Sequence, residues 1–215
     1  MSFKLYRKPQ IGEMVVIGAD PADTGSDYCA AHALSKKSAD QLMVFHERTD
    51  SSQFGHELFK MAKYIHKETG EYPIIAVERN TGMATISALQ LYNYPKLYRM
   101  KRLGTIKEGV EERIGFSTNV ATRPMILDGL ALALKQRAIR VYDSETVREL
   151  MSFIKNATTG KPEAATGSHD DLLMSLAIAL HLFGDSTPSQ SNLTHTNIRM
   201  FPKQELFDSY GIPNV

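Results

Sequence analysis

From Leu172 to Phe183 the chain reads LLMSLAIALHLF, with apolar residues on every side of a helical turn. A helix built from it has no face to give to water and is buried. Broken by Ser175 and His181, the run is too short to cross a bilayer. Two aspartates, Asp170 and Asp171, stand at its threshold. Ser168, three residues before Asp171, fits a capping box, and carboxylates there complement the helix dipole. Capping explains one aspartate better than two, because burying the helix draws both charges toward the interior, where unpaired charge is costly. A cation shared by both removes that cost. On these residues alone, capping and metal ligation both stand.

The rest of the chain supplies layers for such a helix. "MVVIGAD", "YCAAHALS" and "QLMVFHER" read as three buried strands in an antiparallel meander. "SSQFGHELFKMAKYIHKETG" has helical spacing, with Ser51 or Ser52 as the expected cap and Gly70 as the stop. "YPIIAVER" is another buried strand, and a helix follows Gly82. The span "RLGTIKEGVEERIGFST" reads as a protruding hairpin, and "TRPMILDGLALALKQRA" as a helix with Pro124 in its first turn. A short strand at "IRVY", a helix from Ser144 to about Ile154 and the turn-rich "NATTGKPEAATG" complete the pattern. This predicts an α/β fold, a mixed sheet flanked by helices.

At 215 residues the chain suits one sizeable domain, and 42% hydrophobic with 23% charged residues fits a soluble globular protein. A net charge of +1, from 25 basic and 24 acidic residues, excludes a protein that coats nucleic acid non-specifically. It leaves room for a DNA enzyme whose clustered acids offset basic residues elsewhere. "MSFKLYRKPQ" lacks the apolar segment of a secretory signal. The single cysteine, Cys29, excludes an internal disulfide, suits a reducing cytoplasm and reads as a small strand residue.

Asp20 and Glu78 share a pattern: each closes a buried strand and precedes turn residues. Groups at strand ends line the crevice where open sheets bind ligands. If the two strands are neighbours, the buried helix docks Asp170 and Asp171 beside them. Carboxylates so crowded repel one another unless cations lie between them. Oxygen-only ligands select Mg²⁺ or Mn²⁺, and two such ions about 4 Å apart form the clamp used for in-line displacement at phosphodiesters. His169 is read as part of the cap rather than as a ligand, and His32, His46, His56 and His66 lack ligand spacing.

"GADPADTGSD" (18–27), "AVERNTG" (76–82) and "SHDDLLMSLAIA" (168–179) together resemble the nuclease domain of the large terminase subunit of tailed bacteriophages, over roughly residues 12 to 184. The resemblance implies an RNase H-like fold related to Holliday-junction resolvases: a mixed central sheet of antiparallel meander plus parallel strands, flanked by helices, with a protruding β-hairpin. It matches Asp20 to the first catalytic and metal-binding acid, Glu78 to the second, and the Asp170/Asp171 pair to the third. It also implies two Mg²⁺ or Mn²⁺ ions and cleavage of double-stranded DNA with little sequence preference, during genome packaging in the host cytoplasm, with no membrane involved. The hairpin near Arg102 to Phe116 resembles an arm beside the DNA groove, which makes Lys101, Arg102, Lys107 and Arg113 the expected phosphate contacts.

No G-x-x-x-x-G-K-[ST] loop occurs, so the expected unit is the nuclease part of a longer protein. The packaging ATPase, the small terminase subunit and the portal are its implied partners. Residues 1–12 are expected as a linker remnant, 13–184 as the nuclease domain and 185–215 as a flexible tail. The apolar "IRMFPKQELFDSYGIPNV" in that tail either meets a partner or packs back on the core. Three rivals remain: a junction resolvase, a DNA clamp without chemistry, and an actin-like ATPase. The last needs a second duplicated domain, for which the chain is too short.

Overall fold

The computed structural model describes residues 3–22, 27–103, 110–156 and 170–185. Its central sheet has the order β1-β4-β3-β2-β5, built from β1 (Lys4–Leu5), β2 (Val15–Asp20), β3 (Tyr28–Ser35), β4 (Gln41–Arg48) and β5 (Ile74–Val77). Strands β2, β3 and β4 form the expected antiparallel meander, and β5 runs parallel to β2. Helices α1 (Ser51–Thr69) and α2 (Met83–Leu91) cover one face of the sheet. Helices α3 (Thr122–Lys135), α4 (Ser144–Asn156) and α5 (Asp171–Asp185) cover the other. The hairpin arms are β6 (Arg99–Leu103) and β7 (Val110–Ile114).

Strand alternation decides where the acids point. In β2, Val15, Ile17 and Ala19 pack with the α1/α2 layer, whereas Val16 and Gly18 meet the α5 layer. The next even position is Asp20, on the α5 side. In β5, Ile75 and Val77 pack toward α1 and α2 while Ile74 and Ala76 pack toward α5, so Glu78 follows onto that same side. The parallel register pairs Gly18 with Ala76 and Ala19 with Val77, and the Glu78 amide donates to the Ala19 carbonyl at 2.8 Å. Pleat and register therefore bring both acids to one corner.

Helix α5 rests on bare backbone there. A Cβ on Gly18 would stand 2.2 Å from the Ser175 carbonyl oxygen and 2.2 Å from the Ala179 nitrogen. Next to this contact, fully buried His32 of β3 faces Ser175 Oγ at 2.8 Å through Nδ1 and Thr146 Oγ1 at 3.1 Å through Nε2. Thr146 Oγ1 donates in turn to Asp143 Oδ2 at 2.7 Å, a bond strengthened by the carboxylate charge. With the Thr146 hydroxyl given to Asp143, Nε2–H donates to Thr146, and the Ser175 hydroxyl lies between Nδ1 and the Leu172 carbonyl, 3.1 Å from the latter. Burial drives His32 down to about 3, so the ring is neutral and this single-proton chain ties β3 to α4 and α5.

Four expectations change. The α1 cap is Asp50, whose Oδ1 accepts from the Ser52 and Gln53 amides at 3.0 and 2.9 Å, while Ser51 Oγ donates to the Ala22 carbonyl at 2.7 Å. "IRVY" is not a strand: only Arg140 bridges the sheet, at Asp40, and the Tyr142 and Asp143 amides donate to the side-chain oxygen of Gln41, each at 2.7 Å. A glutamine side chain takes the place of a strand partner. Residues 3–5, expected within a linker, add buried Phe3 and edge strand β1 to the domain. The Leu173 amide, one of the first in α5, donates to Glu149 Oε1 at 2.7 Å, so α4 supplies a cap that the local sequence does not announce. Ser168, His169, the connection at 157–169 and the tail from 186 lie outside the described residues.

The close approach predicts opposite signs for two glycine replacements. Gly18→Ala lifts α5 off β2 and costs about 1–3 kcal/mol or more. Gly129→Ala, inside α3 with nothing within 4 Å of the added Cβ, gains about 0.5–1 kcal/mol. Urea melts of both variants check the pair, and a neutral Gly18→Ala contradicts the backbone contact.

Candidate active site

The corner opens as a cleft of about 400 Å³, with Asp20, Asp27, Glu78, Thr118, Arg123 and Asp171 among its lining residues. Asp20 closes β2, Glu78 follows β5 and Asp171 opens α5, so three separate elements converge. Asp20 has its carboxyl raised well above the ordinary carboxylate range. Burial is the largest cause, followed by the charges of Asp171, Glu78 and Asp170, with Arg123 opposing them.

Glu78 is held rather than loose. Only 4% exposed, it accepts at Oε1 from the Thr118 hydroxyl. Its Oε2 accepts from the Thr81 amide at 3.1 Å, with the Thr81 hydroxyl also 3.1 Å away. Asn80 donates to the Thr118 carbonyl at 2.6 Å and closes the collar. Asp170 is engaged too, in an ion pair with Arg123 of α3. Behind the pair, burial and the charges of Asp171 and Asp170 push Glu149 up to about 8, against the Leu173 amide that it accepts.

Among the described residues no three His, Cys, Asp or Glu side chains close on a single point as a ready-made cage. The donor set nonetheless fits a hard divalent cation. It is all oxygen, its members repel one another across the cleft, and a cation between them relieves that repulsion. Asp20, Glu78 and Asp171 line the cleft directly, whereas Asp170 faces Arg123.

The expected hairpin exists and is rooted beside this corner. The Tyr98 amide donates to the Ile75 carbonyl and the Phe116 amide to the Val77 carbonyl, both at 2.8 Å, so the hairpin base runs along the free edge of β5. Lys101 and Arg113 are exposed on its arms and Arg102 lies in β6, whereas Lys107 falls outside the described residues. The register sets Lys101 opposite Glu112 and Arg102 opposite Glu111, so the arms carry mixed charge rather than a basic stripe. Cys29, buried in β3 and raised to about 11 mainly by that burial, is no nucleophile.

Sequence reasoning missed Asp27, Thr81, Thr118, Arg123 and Glu149. Asp27 and Thr81 lie inside the short motifs at 18–27 and 76–82. Glu149 carries a weaker signal, an acid three residues after buried Thr146 and one before buried Leu150 on the inner face of α4. Thr118 and Arg123 carry none: Thr118 comes in behind the bridge of Phe116 to Glu78, and Arg123 comes in with α3 packed against α5.

No protein-family model matches the chain, and no curated protein matches it. Solved structures do. The large terminase nuclease from thermophilic phage G20c is 16% identical, with a TM-score of 0.58 over 84% of this chain and 88% of that one. The large terminase nuclease domain of Thermus phage P74-26 is 15% identical, with a TM-score of 0.61 over 83% and 84%. A human cytomegalovirus terminase nuclease domain, manganese-soaked and inhibitor-bound, is 17% identical, with a TM-score of 0.51 over 84% and 90%. At such identities the likeness establishes the fold, an RNase H-like one.

Glu149 gives the site a pH signature. Its folded pKa of about 8 lies above the ordinary glutamate value of 4.5, so the cost of its charge is absent below pH 4.5 and grows as pH rises toward 8. Glu149→Gln mimics the protonated form. In metal-free buffer it should match wild type near pH 4.5 and melt progressively higher than wild type up to pH 8–9. Equal melting temperatures at pH 8.5 contradict this environment.

Proposed function

We propose that this chain is a metal-dependent endonuclease that cuts double-stranded DNA with little sequence preference, acting as the nuclease part of a viral DNA-packaging terminase. The observation that carries the reading is the meeting of Asp20, Glu78 and Asp171 at one cleft, with the charge of Asp170 also acting on Asp20, in a fold shared with terminase nuclease domains. One such neighbour was solved with bound magnesium and another with manganese. Asp20, Glu78 and one aspartate of the Asp170/Asp171 pair hold the ions, two of them in this reading. Bound there, Mg²⁺ or Mn²⁺ would supply activation of a water and charge stabilisation at the leaving oxygen of the phosphodiester.

The protein's own contribution is placement. Thr118 and Thr81 fix the Glu78 carboxylate, so it spends no rotamer freedom when a ligand arrives. Asp20 sits at the end of a strand paired on both sides, which makes its position rigid. In this reading Lys101, Arg102, Lys107 and Arg113 meet backbone phosphates, contacts that position a duplex without reading its sequence. In the full packaging machine the chain works with an ATPase domain, a small terminase subunit and the portal.

Supercoiled plasmid should be nicked and linearised with Mg²⁺ or Mn²⁺ and left intact in EDTA. Asp20→Ala and Asp171→Ala should each lower cleavage by at least about 100-fold, as loss of a charge-stabilising group does. Full cutting in EDTA, or near-normal cutting by Asp20→Ala, overturns the reading, and strong preference for four-way junctions over linear duplex redirects it to a resolvase. Replacing Lys101, Arg102, Lys107 and Arg113 by alanine should flatten the salt dependence of binding by about 0.9 for each phosphate no longer neutralised.

A further inference from the structure

We propose that Arg123 is the phosphate-binding cation of the cleft and that Asp170 serves to position it, leaving Asp171 as the carboxylate that α5 gives to the metal. This inference rests on the nuclease reading above and gives different roles to two neighbouring acids.

Three observations lead to it. Arg123 and Asp171 line the cleft directly, while Asp170 faces the guanidinium of Arg123. The Arg123 side chain remains 43% exposed despite its ion pair. That pair runs through Nη2, and a guanidinium offers five donors in a planar fork. Its positive charge also acts on Asp20, which places it within the field of the carboxylates.

A duplex entering this corner brings negative charge to a site already rich in it. Metal ions answer the carboxylates, but the phosphodiester oxygens that stay off the metal need a donor of their own. Arginine suits that role, being always charged, weakly hydrated and shaped to grip a phosphate with two parallel N–H bonds. Asp170 holds one terminal nitrogen of this fork, Nη2, at the junction of α3 and α5, which leaves the donors of Nη1 and Nε for a phosphate. As the water oxygen bonds to phosphorus and gives up a proton to solvent, and the ester oxygen leaves with the P–O electron pair and takes a proton from solvent, charge grows on the non-bridging oxygens, and a fixed guanidinium stabilises it. Asp170, neutralised by Arg123, is then a positioning residue.

Four single variants of this protein test the assignment: Arg123→Gln, Arg123→Lys, Asp170→Asn and Asp171→Asn. Each is measured three ways: the Mn²⁺-induced shift in melting temperature, the affinity for a 30-base-pair duplex in Ca²⁺ at several salt concentrations, and plasmid cleavage in Mg²⁺. Arg123→Gln should keep the Mn²⁺ shift, weaken duplex binding about tenfold, reduce the salt slope by about 0.9 and slow cleavage about 100-fold. Arg123→Lys should restore the salt slope while cleaving more slowly than wild type, since a point charge replaces a fork. Asp170→Asn should keep the Mn²⁺ shift, and Asp171→Asn should lose it.

If Arg123→Gln merely melts lower, with wild-type salt slope and cleavage, the residue is a structural tie between α3 and α5 and the inference falls. Loss of the Mn²⁺ shift in Asp170→Asn, with retention in Asp171→Asn, also overturns it. A wild-type protein that shows neither an Mn²⁺ shift nor cleavage overturns the nuclease reading itself, an outcome distinct from failure of Arg123 alone.

Discussion

Helix α5 can lie directly on β2 only because residue 18 has no side chain. The Ser175 carbonyl and the Ala179 amide occupy the space that any Cβ at that position would claim. That contact sets the depth of the helix, and the depth sets how far Asp171 reaches toward Asp20. The small residues facing Gly18 are therefore not loose packing but the reason two backbones can meet. Neutral His32 fixes the lateral position through Ser175 and Thr146, so height and rotation of α5 are governed by different groups. Neither device belongs to the cleft, yet the cleft has no geometry without them.

Two acids that cap helix starts show how strongly environment decides charge. Asp143 accepts from the Thr146 amide at the start of α4, and Glu149 accepts from the Leu173 amide at the start of α5. Burial pushes both carboxyls up. Around Asp143 the Tyr6 hydroxyl, Thr146 and Lys4 more than reverse the push and hold it down at about 2. Around Glu149 the neighbours are Asp171 and Asp170, which add to burial and carry it to about 8. One end of α4 is thus settled as a charged anchor, while the side of α4 facing the cleft adds to an unrelieved excess of acid. Natural proteins tolerate such an excess chiefly at functional sites.

Much of this was legible in the chain. Short continuous apolar runs marked β2, β3, β4 and β5, and the acids at the ends of β2 and β5 fell on one side of the sheet because both strands alternate in step. The buried character of α5 followed from its composition alone. What stayed hidden depended on contacts distant in sequence. "TDSSQ" offers Asp50, Ser51 and Ser52 as near-equivalent caps, and a carbonyl at Ala22, far back in the chain, draws Ser51 away. "IRVY" has strand composition, but Gln41 satisfies its amides with a side chain, which no local pattern reveals. Arg123 is silent for the same reason: an arginine in the first turn of a helix has no distinguishing mark until α3 is laid against α5.

The charge balance of the whole molecule narrows where the DNA affinity of the proposed nuclease can arise. A chain with 25 basic and 24 acidic residues has no long-range pull on a polyanion, and the acids of the cleft oppose approach at short range. On the hairpin, the register places Glu111 and Glu112 across from Arg102 and Lys101, so acidic and basic residues alternate between the two arms. Attraction therefore has to be local and conditional. In the proposed nuclease it grows when cations fill the carboxylate corner and turn a repelling surface into a receptive one, with a guanidinium already fixed beside it. Such coupling would make DNA binding by the proposed nuclease depend on metal occupancy, which would restrain a cutter with little sequence preference from acting before its site is complete.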